Sequence, residues 1–440
     1  MVNINWKKEP LKKLCHRIGD GLHGTPNYSD NTGIFFINGN NLKNGKIVIT
    51  ENTNTVSQEE LDNNFIALNE NTLLLSINGT LGSMAFYNNE TVMLGKSAAY
   101  LNFKTNINRF YYYYFQLVGV QKYFYNVATG STIKNLSLKS IQDFEVPVPD
   151  DSVWKPIVSV LSSLDAKIEL NYKINAELES ITKTIYDYWF VQFDFPDVNG
   201  KPYKSSGGKM IYDEVLKREI PEFWKRCRLE YVLAKTGTGL NPRDNFKLGE
   251  GDNYYVTIKN IKQGKVVLND KCDRINDESL EIINKRSDLQ VGDILFTSIE
   301  PVGTTYLIRK KPTNWNINES VFTIRPDYKK VTSEFLYMFL SGDYIKAYTN
   351  NVSAGSIHKG VRHSTLKDCK FILPSKNIID VFSNKLIPIM DKLDLIQTEI
   401  TKLEELRDWL LPMLMNGQVT VKEAQEHINK AAEPQESYQK

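Results

Sequence analysis

The sequence predicts an α+β protein: two tandem domains with mixed or curled sheets, plus two long helices that form an antiparallel coiled coil. Three observations predict this fold class. They are short apolar runs bounded by turn residues, a set of landmarks that occurs twice in the same order, and two segments with coiled-coil spacing. The expected segments are a domain over 1–150, a helix over 151–195, a linker over 196–214, a domain over 215–375, a helix over 376–415 and a polar tail, frayed or disordered, over 416–440.

The strands of the globular domains are predicted from short runs rich in β-branched and aromatic residues, such as KIVIT (46–50), NTLLLSI (71–77), MAFY (84–87) and AAYLNF (98–103). One helical stretch follows in each domain, RFYYYYFQLVGVQKYFYNV (109–127) and SEFLYMFLSGDYIKAYTNNV (333–352). Strands followed by a helix indicate an α+β domain.

The chain also contains an internal duplication. Trp6 corresponds to Trp224, and GDGL (19–22) corresponds to GTGL (237–240). Longer segments follow in the same order: FFINGNNLKNGKI (35–47) with YYVTIKNIKQGKV (254–266), LLLSINGTLGS (73–83) with ILFTSIEPVGT (294–304), and ATGSTIKNLSLKSIQDFEVPVP (128–149) with SAGSIHKGVRHSTLKDCKFILP (353–374). The order predicts two copies of one domain and helix, related by a pseudo-two-fold axis.

Two helices are predicted from a seam with alternating spacing of four and three residues, repeated at a shift of roughly 225 residues. The seam positions are Leu161, Leu164, Ile168, Asn171, Asn175 and Leu178 in the first helix, and Leu386, Ile389, Leu393, Ile396, Ile400 and Leu403 in the second. Because the register is shared, we expect the helices to pair with each other; the alternative is that each is buried against its own domain. About 34 residues at about 1.5 Å each make a spacer about 50 Å long.

Composition excludes several classes of protein. The hydrophobic share of 41% and the charged share of 24% are typical of a soluble globular protein. No membrane span or signal peptide is predicted, and the four cysteines are too far apart to predict a disulfide framework or a zinc site. The expected compartment is the cytoplasm. With a net charge of +2, a nucleic-acid partner would have to contact local basic patches.

No catalytic constellation is predicted. LGKSAAY (94–100) lacks the upstream glycine of a phosphate-binding loop, and KTGTGLNP (235–242) lacks the third glycine of a dinucleotide fingerprint. NPRD (241–244) falls short of the Asn/Asp-Pro-Pro-aromatic tetrapeptide of amino-methyltransferases. Asp165 and Lys167 have a nuclease-like spacing but fall on the predicted coiled-coil helix, so we expect no catalytic residue and no metal site.

The remaining chemistry is recognition. Two pairs of repeated loops combine Gly, Asn, Thr, Ser, His and Lys, residue types that bind phosphates and base edges. For each one the alternative is a hairpin turn with solvated side chains. The candidate DNA-binding residues are Asn38, Asn40, Asn41, Lys43, Lys46, Ser131, Thr132, Lys134, Thr257, Lys259, Asn260, Lys262, Lys265, Ser356, His358, Lys359, Arg362 and His363.

Several segments resemble those of one known family. They are the Trp-x-x-x-x-Leu opening of each half, LDAKIELNYKIN (164–175), YDYWFVQFDFPDVNGKPYKSSGGKM (186–210) and LLPMLMNGQV (410–419). Over essentially its whole length the chain resembles the specificity (S) subunit of type I restriction–modification systems.

The resemblance implies that 1–150 and 215–375 are target recognition domains, each recognising one half of a split DNA site. It implies that the helices are a conserved spacer and dock two methyltransferase (M) subunits, and that motor–nuclease (R) subunits join through the M–S complex for host defence. The chain itself would carry no cofactor and no catalytic activity. S-adenosylmethionine would bind the methyltransferase subunits, and ATP and Mg²⁺ the motor–nuclease subunits, in a prokaryotic cytoplasm.

Two alternatives remain at this point. One is a coiled-coil scaffold that joins proteins without recognising DNA. The other is a self-sufficient methyltransferase, which would require S-adenosylmethionine binding by the isolated chain.

Overall fold

The computed structural model describes residues 6–262, 264–353 and 360–432. They form two compact units. The first unit contains the described residues up to Tyr172 together with those from Thr398 onward, and the second contains those from Lys173 to Gln397. Each unit therefore includes one globular domain and a part of both long helices.

The first half of the chain contains β1 Lys8–Pro10, α1 Leu11–Leu14, β2 Cys15–Asp20, β3 Phe35–Ile37, β4 Leu42–Lys43, β5 Lys46–Ile47, α2 Gln58–Asn63, β6 Thr72–Ser76, β7 Met84–Phe86, β8 Val92–Leu94, β9 Ala98–Phe103, α3 Asn108–Tyr114, α4 Val118–Val127, α5 Leu138–Gln142, β10 Glu145–Pro147 and α6 Asp151–Tyr186.

The second half contains β11 Met210–Asp213, β12 Arg218–Pro221, β13 Lys225–Arg228, β14 Leu233–Thr238, β15 Asn253–Val256, β16 Ile261–Lys262, β17 Lys265–Val266, β18 Asp273–Ile275, α7 Asp277–Ser287, β19 Ile294–Thr297, β20 Thr305–Leu307, β21 Trp315–Ile317, β22 Val321–Pro326, α8 Ser333–Ser341, α9 Asp343–Ser353, α10 His363–Lys367, β23 Lys370–Leu373, α11 Lys376–Met415 and α12 Val421–Ala432.

The first unit is built on an antiparallel four-stranded sheet in the order β2-β9-β6-β7, beside which β3 and β8 pair in parallel. β6 is buried along its whole length because both of its faces are covered. Leu74 packs with Tyr100 and Ile37 in one hydrophobic cluster, and nearby Phe103 stacks on Tyr111 of α3 with ring centroids 5.1 Å apart. The sheet is therefore the centre of this domain.

The second unit repeats this topology. Its four-stranded sheet has the order β14-β22-β19-β20, and β15 pairs in parallel with β21. Leu295 of β19 belongs to one hydrophobic cluster, whereas its neighbours Ile294 and Phe296 belong to another, so the strand lies between two cores. The mixed α+β fold and the predicted internal duplication are confirmed.

The single helical stretch predicted in each domain is two helices. α3 and α4 are separated at Leu117, whose backbone is extended (φ −55°, ψ 133°), and α8 and α9 are separated at Gly342 (φ −74°, ψ 165°). Apolar residues continue through the first break, whereas Gly342 between Ser341 and Asp343 is a signal for the second that the sequence interpretation missed.

The long helices α6 and α11 pair antiparallel, as predicted. In the first unit Asp165 of α6 pairs with Arg407, late in α11, and in the second unit Tyr186 at the end of α6 packs edge-on against Phe382, early in α11. The predicted seam faces the interior. Leu161, Leu164, Ile168, Asn171, Asn175, Leu386, Ile396, Ile400 and Leu403 are buried, and Leu178, Ile389 and Leu393 are half-buried.

The segment 196–214, predicted as a linker, is folded into the second unit. Asp194 accepts hydrogen bonds from the backbone N–H and the hydroxyl of Ser205 at 2.7 and 2.6 Å. The preceding Phe195 is buried and stacks on Trp224. β11, at the end of this segment, pairs with β12 across the expected boundary at 214, so the boundary divides a hairpin.

The tail also differs from its prediction. Residues 416–440 were expected to be frayed, but α12 occupies Val421–Ala432. Glu423 accepts hydrogen bonds from the backbone N–H and the hydroxyl of Thr420 at the start of this helix, at 2.7 and 2.8 Å. Ala424 is fully buried, and Trp409 of α11 contacts the His427 ring. A cap and a small buried face therefore hold a polar sequence in a helix.

Candidate nucleic-acid interface

Four loops of the first unit are joined at one edge by hydrogen bonds. The Gly39 N–H donates to Ser97 Oγ at 2.9 Å, and the Ile77 N–H donates to the Ser97 carbonyl at 3.0 Å. The Leu136 N–H donates in turn to the Ile77 carbonyl at 2.9 Å. We name this set of loops the loop edge of the first unit; it consists of residues 38–41, 77–80, 95–97 and 129–135.

The second unit has an equivalent loop edge. The Ser298 N–H donates to the Ser320 carbonyl at 2.9 Å, and the Val361 N–H donates to the Ser298 carbonyl at 2.8 Å. The Asn318 N–H donates to the Val256 carbonyl at 2.9 Å, just before the Thr257 turn. The loop edge of the second unit consists of residues 257–260, 298–303, 318–320 and 360–363.

Asn38 and Asn41 hold the first loop in shape. Asn41 Oδ1 accepts from the Asn38 N–H at 2.9 Å, and Asn41 Nδ2 donates to the Val48 carbonyl at 3.0 Å. Asn38 Oδ1 accepts from the Ser97 hydroxyl at 2.8 Å. These amide groups were predicted to contact DNA. In the structure they form hydrogen bonds within the domain, and exposed Asn40 is the asparagine of this turn that faces solvent.

The same turn occurs in the second unit. Asn260 Oδ1 accepts from the Thr257 N–H at 2.8 Å and from its hydroxyl at 3.0 Å, while Asn260 Nδ2 lies 3.0 Å from Cys272 Sγ. Thr257 and Asn260, also predicted as DNA contacts, thus stabilise the turn. Lys259 between them is exposed.

Four of the predicted lysines lie on short hairpins that follow these turns, and each strand of these hairpins has two residues. Lys43 pairs with Lys46 across the first hairpin and Lys262 pairs with Lys265 across the second. Lys46 forms an ion pair with Glu169 of α6, and Lys265 donates to Gln397 of α11. One lysine of each pair is therefore bound to a long helix within its own unit.

The loop at 129–135 presents small polar groups next to an aromatic ring. Ser131 and Thr132 are exposed at its tip. Lys134 Nζ lies 5.1 Å from the centroid of the exposed Tyr125 ring, and Asn135 forms a bridge with Asn78 of the neighbouring loop. A cation beside an exposed ring suits contacts with phosphate and base faces.

The corresponding loop of the second unit is described from Gly360 onward, so the predicted residues Ser356, His358 and Lys359 lie outside the described residues. Arg362 is exposed. His363 packs edge-on against the Phe322 ring at 4.7 Å, and its Nε2 is buried without a hydrogen-bond partner in the described part of the chain. Burial, with a smaller contribution from Lys367, lowers the pKa of His363, so this histidine is neutral at neutral pH.

Sequence reasoning missed two parts of the first loop edge and one segment beside it. The turn that follows GDGL (19–22), the loop at 77–80 and the connection at 95–97 were not assigned as contacts. The Lys96 N–H donates to the Leu22 carbonyl at 2.9 Å, which brings the first of these segments against the third. The repeat of GDGL as GTGL was the signal that could have found them.

Among residues 6–262, 264–353 and 360–432, no group of three or more His, Cys, Asp or Glu side chains could hold a metal ion. No helix within those residues has the length and apolar character needed to cross a membrane.

Comparison with known proteins matches both repeats. The family model of the type I restriction modification DNA specificity domain matches residues 3–180 and 221–407. The chain is 24% identical over 323 residues to the MjaIX specificity subunit of Methanocaldococcus jannaschii, covering 72% of this chain and 70% of that protein. It is also 24% identical over 350 residues to the HindI specificity subunit of Haemophilus influenzae, covering 68% and 74%.

The fold has a solved counterpart. The crystal structure of the S subunit of a type I restriction–modification system from M. genitalium superposes with a TM-score of 0.59 at 16% identity, covering 94% of this chain and 97% of that chain. The matches to both repeats show that this chain belongs to the family of type I restriction–modification DNA specificity subunits.

Proposed function

We propose that this chain is a non-catalytic specificity subunit whose two loop edges recognise the two halves of a bipartite, asymmetric DNA site. The observation that carries the proposal is that one scaffold of hydrogen-bonded loops occurs in both units but presents different side chains. Asn40 is exposed on the first loop edge, whereas exposed Lys259 occupies the equivalent position of the second. Two equivalent scaffolds with different chemistry suit two different half-sites.

The long helices would set the distance between the half-sites. α6 is one continuous helix of 36 residues that contains residues of both units. At about 1.5 Å per residue it is about 54 Å long. A helix pair with a buried seam fixes separation without contacting bases, so the DNA between the half-sites would not be recognised.

The repeated helices would also dock two methyltransferase subunits. Leu170 on α6 is 56% exposed and Leu395 on α11 is 66% exposed. The two leucines occupy equivalent positions, because Leu164 corresponds to Ile389 in the seam alignment. Exposed leucines at the same position of both repeats support docking of two identical partners.

The remaining chemistry of the complex would belong to those partners. Methylation would use S-adenosylmethionine on the methyltransferase subunits. Restriction would use ATP and Mg²⁺ on motor–nuclease subunits that join through the methyltransferase–specificity complex. The assembly would act on double-stranded DNA in the cytoplasm of a prokaryote.

Methylome sequencing of cells with and without this chain, expressed beside its methyltransferase partner, tests the proposal. We expect a methylated motif with two specified segments and an unspecified gap, present only with the chain. Exchanging residues 1–150 for the equivalent segment of a relative should change one half-site only. Exchanging 215–375 is the matched control and should change the other half-site.

Two outcomes would contradict the proposal. A change of both half-sites by either exchange would show that the domains do not recognise DNA separately. Absence of any sequence-specific binding by the purified complex would instead favour a scaffold that joins proteins without recognising DNA.

A further inference from the structure

A three-residue connection occupies the same place in both loop edges. Residues 95–97 join β8 to β9, and residues 318–320 join β21 to β22. The backbone of a glycine-containing loop packs closely against the strand residue that precedes each connection. A Cβ on Gly21 would lie 1.9 Å from the Leu94 carbonyl oxygen, and a Cβ on Gly239 would lie 1.8 Å from that of Ile317. Each connection therefore has a buried strand on either side and the backbone of a glycine close to it. These contacts fix the backbone of its middle residue.

The middle residue is Lys96 in the first unit and Glu319 in the second, and both are exposed. These two positions are equivalent and carry opposite charges. The Lys96 side chain makes no hydrogen bond or ion pair within the described ranges. It lines an open cavity of about 320 Å³ together with His23, Tyr28 and Asn38.

The Glu319 carboxylate is held by neutral groups. Asn241 Nδ2 donates to Glu319 Oε1 at 2.8 Å, and the Tyr255 hydroxyl lies 3.4 Å from Oε2. Among the described residues it has no ion pair with a cation. A carboxylate beside DNA is repelled by the phosphates, so it is favourable there only where a base amino group can donate to it.

We infer that position 96 in the first domain and position 319 in the second each contact one base edge and make the two half-sites different. The inference rests on the proposed function. Lys96 would donate to the O6 and N7 acceptors of a guanine in one half-site. Glu319, oriented by Asn241, would accept from an exocyclic amino group, that of cytosine N4, in the other half-site.

The test measures binding of the chain in complex with its methyltransferase partner to a DNA library randomised in both half-sites. Lys96→Gln should lower discrimination at one base pair of the half-site recognised by the first domain by about 5- to 150-fold, leaving the other half-site unchanged. Glu319→Gln should do the same in the other half-site. Lys96→Arg should keep the guanine preference, because arginine donates to the same acceptors.

Lys104→Gln is the matched control, because Lys104 is an exposed lysine at the opposite end of β9. It should leave discrimination unchanged. Two results for a Lys96→Gln variant that melts at the wild-type temperature would overturn the inference. One is an equal loss of DNA-binding affinity on all sequences, and the other is an unchanged base preference at every position. If the wild-type complex itself had no sequence preference, the proposed function would fail instead.

Discussion

Asp165 on α6 pairs with Arg407 on α11, with 3.1 Å between Oδ1 and Nη1. The Tyr113 hydroxyl donates to the other carboxylate oxygen at 2.7 Å, so a residue of the globular domain joins the pair. The equivalent positions of the other repeat hold Met390 and Thr182. The charged pair therefore distinguishes the two otherwise similar ends of the helix pair.

Arg407→Ala should lower the free energy of unfolding by about 1–2 kcal/mol, because it leaves the half-buried Asp165 carboxylate without its cation. Guanidinium denaturation of the full chain measures the change. The double variant Asp165→Met with Arg407→Thr copies the other repeat and should recover part of the loss. A double variant less stable than Arg407→Ala would contradict this account of the pair.

Replacing Asn171 and Asn175 by isoleucine should raise the melting temperature. The two side chains are only 6% and 5% exposed, and Asn171 Nδ2 and Asn175 Oδ1 lack a hydrogen-bond partner within the described residues. Apolar side chains remove that cost, but the seam should become less specific in register. Leu161→Ala is the control and should cost about 2–5 kcal/mol. A lower melting temperature for the double isoleucine variant would contradict the buried seam.

Insertion of one heptad within 161–178, with a matching one within 386–403, should lengthen the gap in the methylated motif by about three base pairs. Seven helical residues add about 10 Å, and base pairs are stacked about 3.4 Å apart. Methylome sequencing measures the gap. A heptad inserted in one helix alone is the control and should destabilise the chain, because the seams no longer match. An unchanged gap in the double insertion would exclude the helices as the spacer.

Arg362→Ala should weaken DNA binding on all sequences and reduce the slope of log affinity against log salt by about 1 if this exposed side chain contacts a phosphate. His363→Gln is a neighbouring control. Because burial lowers the pKa of His363 and keeps it neutral, its replacement should not change the slope. DNA-binding affinities of both variants, measured across a salt series, show which of the two residues contacts a phosphate. A reduced slope for His363→Gln alone would reverse their roles.

The same histidine should make stability depend on pH. Its pKa is lower in the folded chain than the unfolded value of about 6.5, so the unfolded state takes up the proton first. The stabilisation due to neutral His363 is present above that value and is lost as the pH falls below it. Melting temperatures at pH 7, 6 and 5 should therefore fall less steeply for His363→Gln than for the wild-type chain. Parallel curves would show that His363 does not titrate on unfolding.

The features that repeat along the sequence were the ones that could be predicted from it. The seam spacing from Leu161 to Leu178 and from Leu386 to Leu403 identified both helices and their pairing, and the repeated segments identified two copies of one fold. Each of these signals extends over many residues, so a local exception such as Asn171 does not hide it.

Single side chains were less predictable. Asn41 and Asn260 are typical of tight turns and also of base contacts, and only the structure shows that their amides close the turn. Lys43 and Lys46 lie on the same predicted loop, and only the structure shows that Lys46 pairs with Glu169 of α6. α12 was missed because its helical stability depends on a cap and on burial of Ala424 against the rest of its unit. The choice among several possible partners decides each case, and for Lys46 that partner is distant in sequence.

The division of the chain into units also affects the order in which it can fold during translation. The first unit includes residues from Thr398 onward, where Arg407 of α11 pairs with Asp165 of α6, but about 225 residues separate Tyr172 from Thr398. At about 5–20 residues per second, a ribosome takes about 11–45 s to make that segment. Throughout this time the apolar side of the nascent α6 lacks its final partner, so a chain released early would expose it to chaperones and to aggregation.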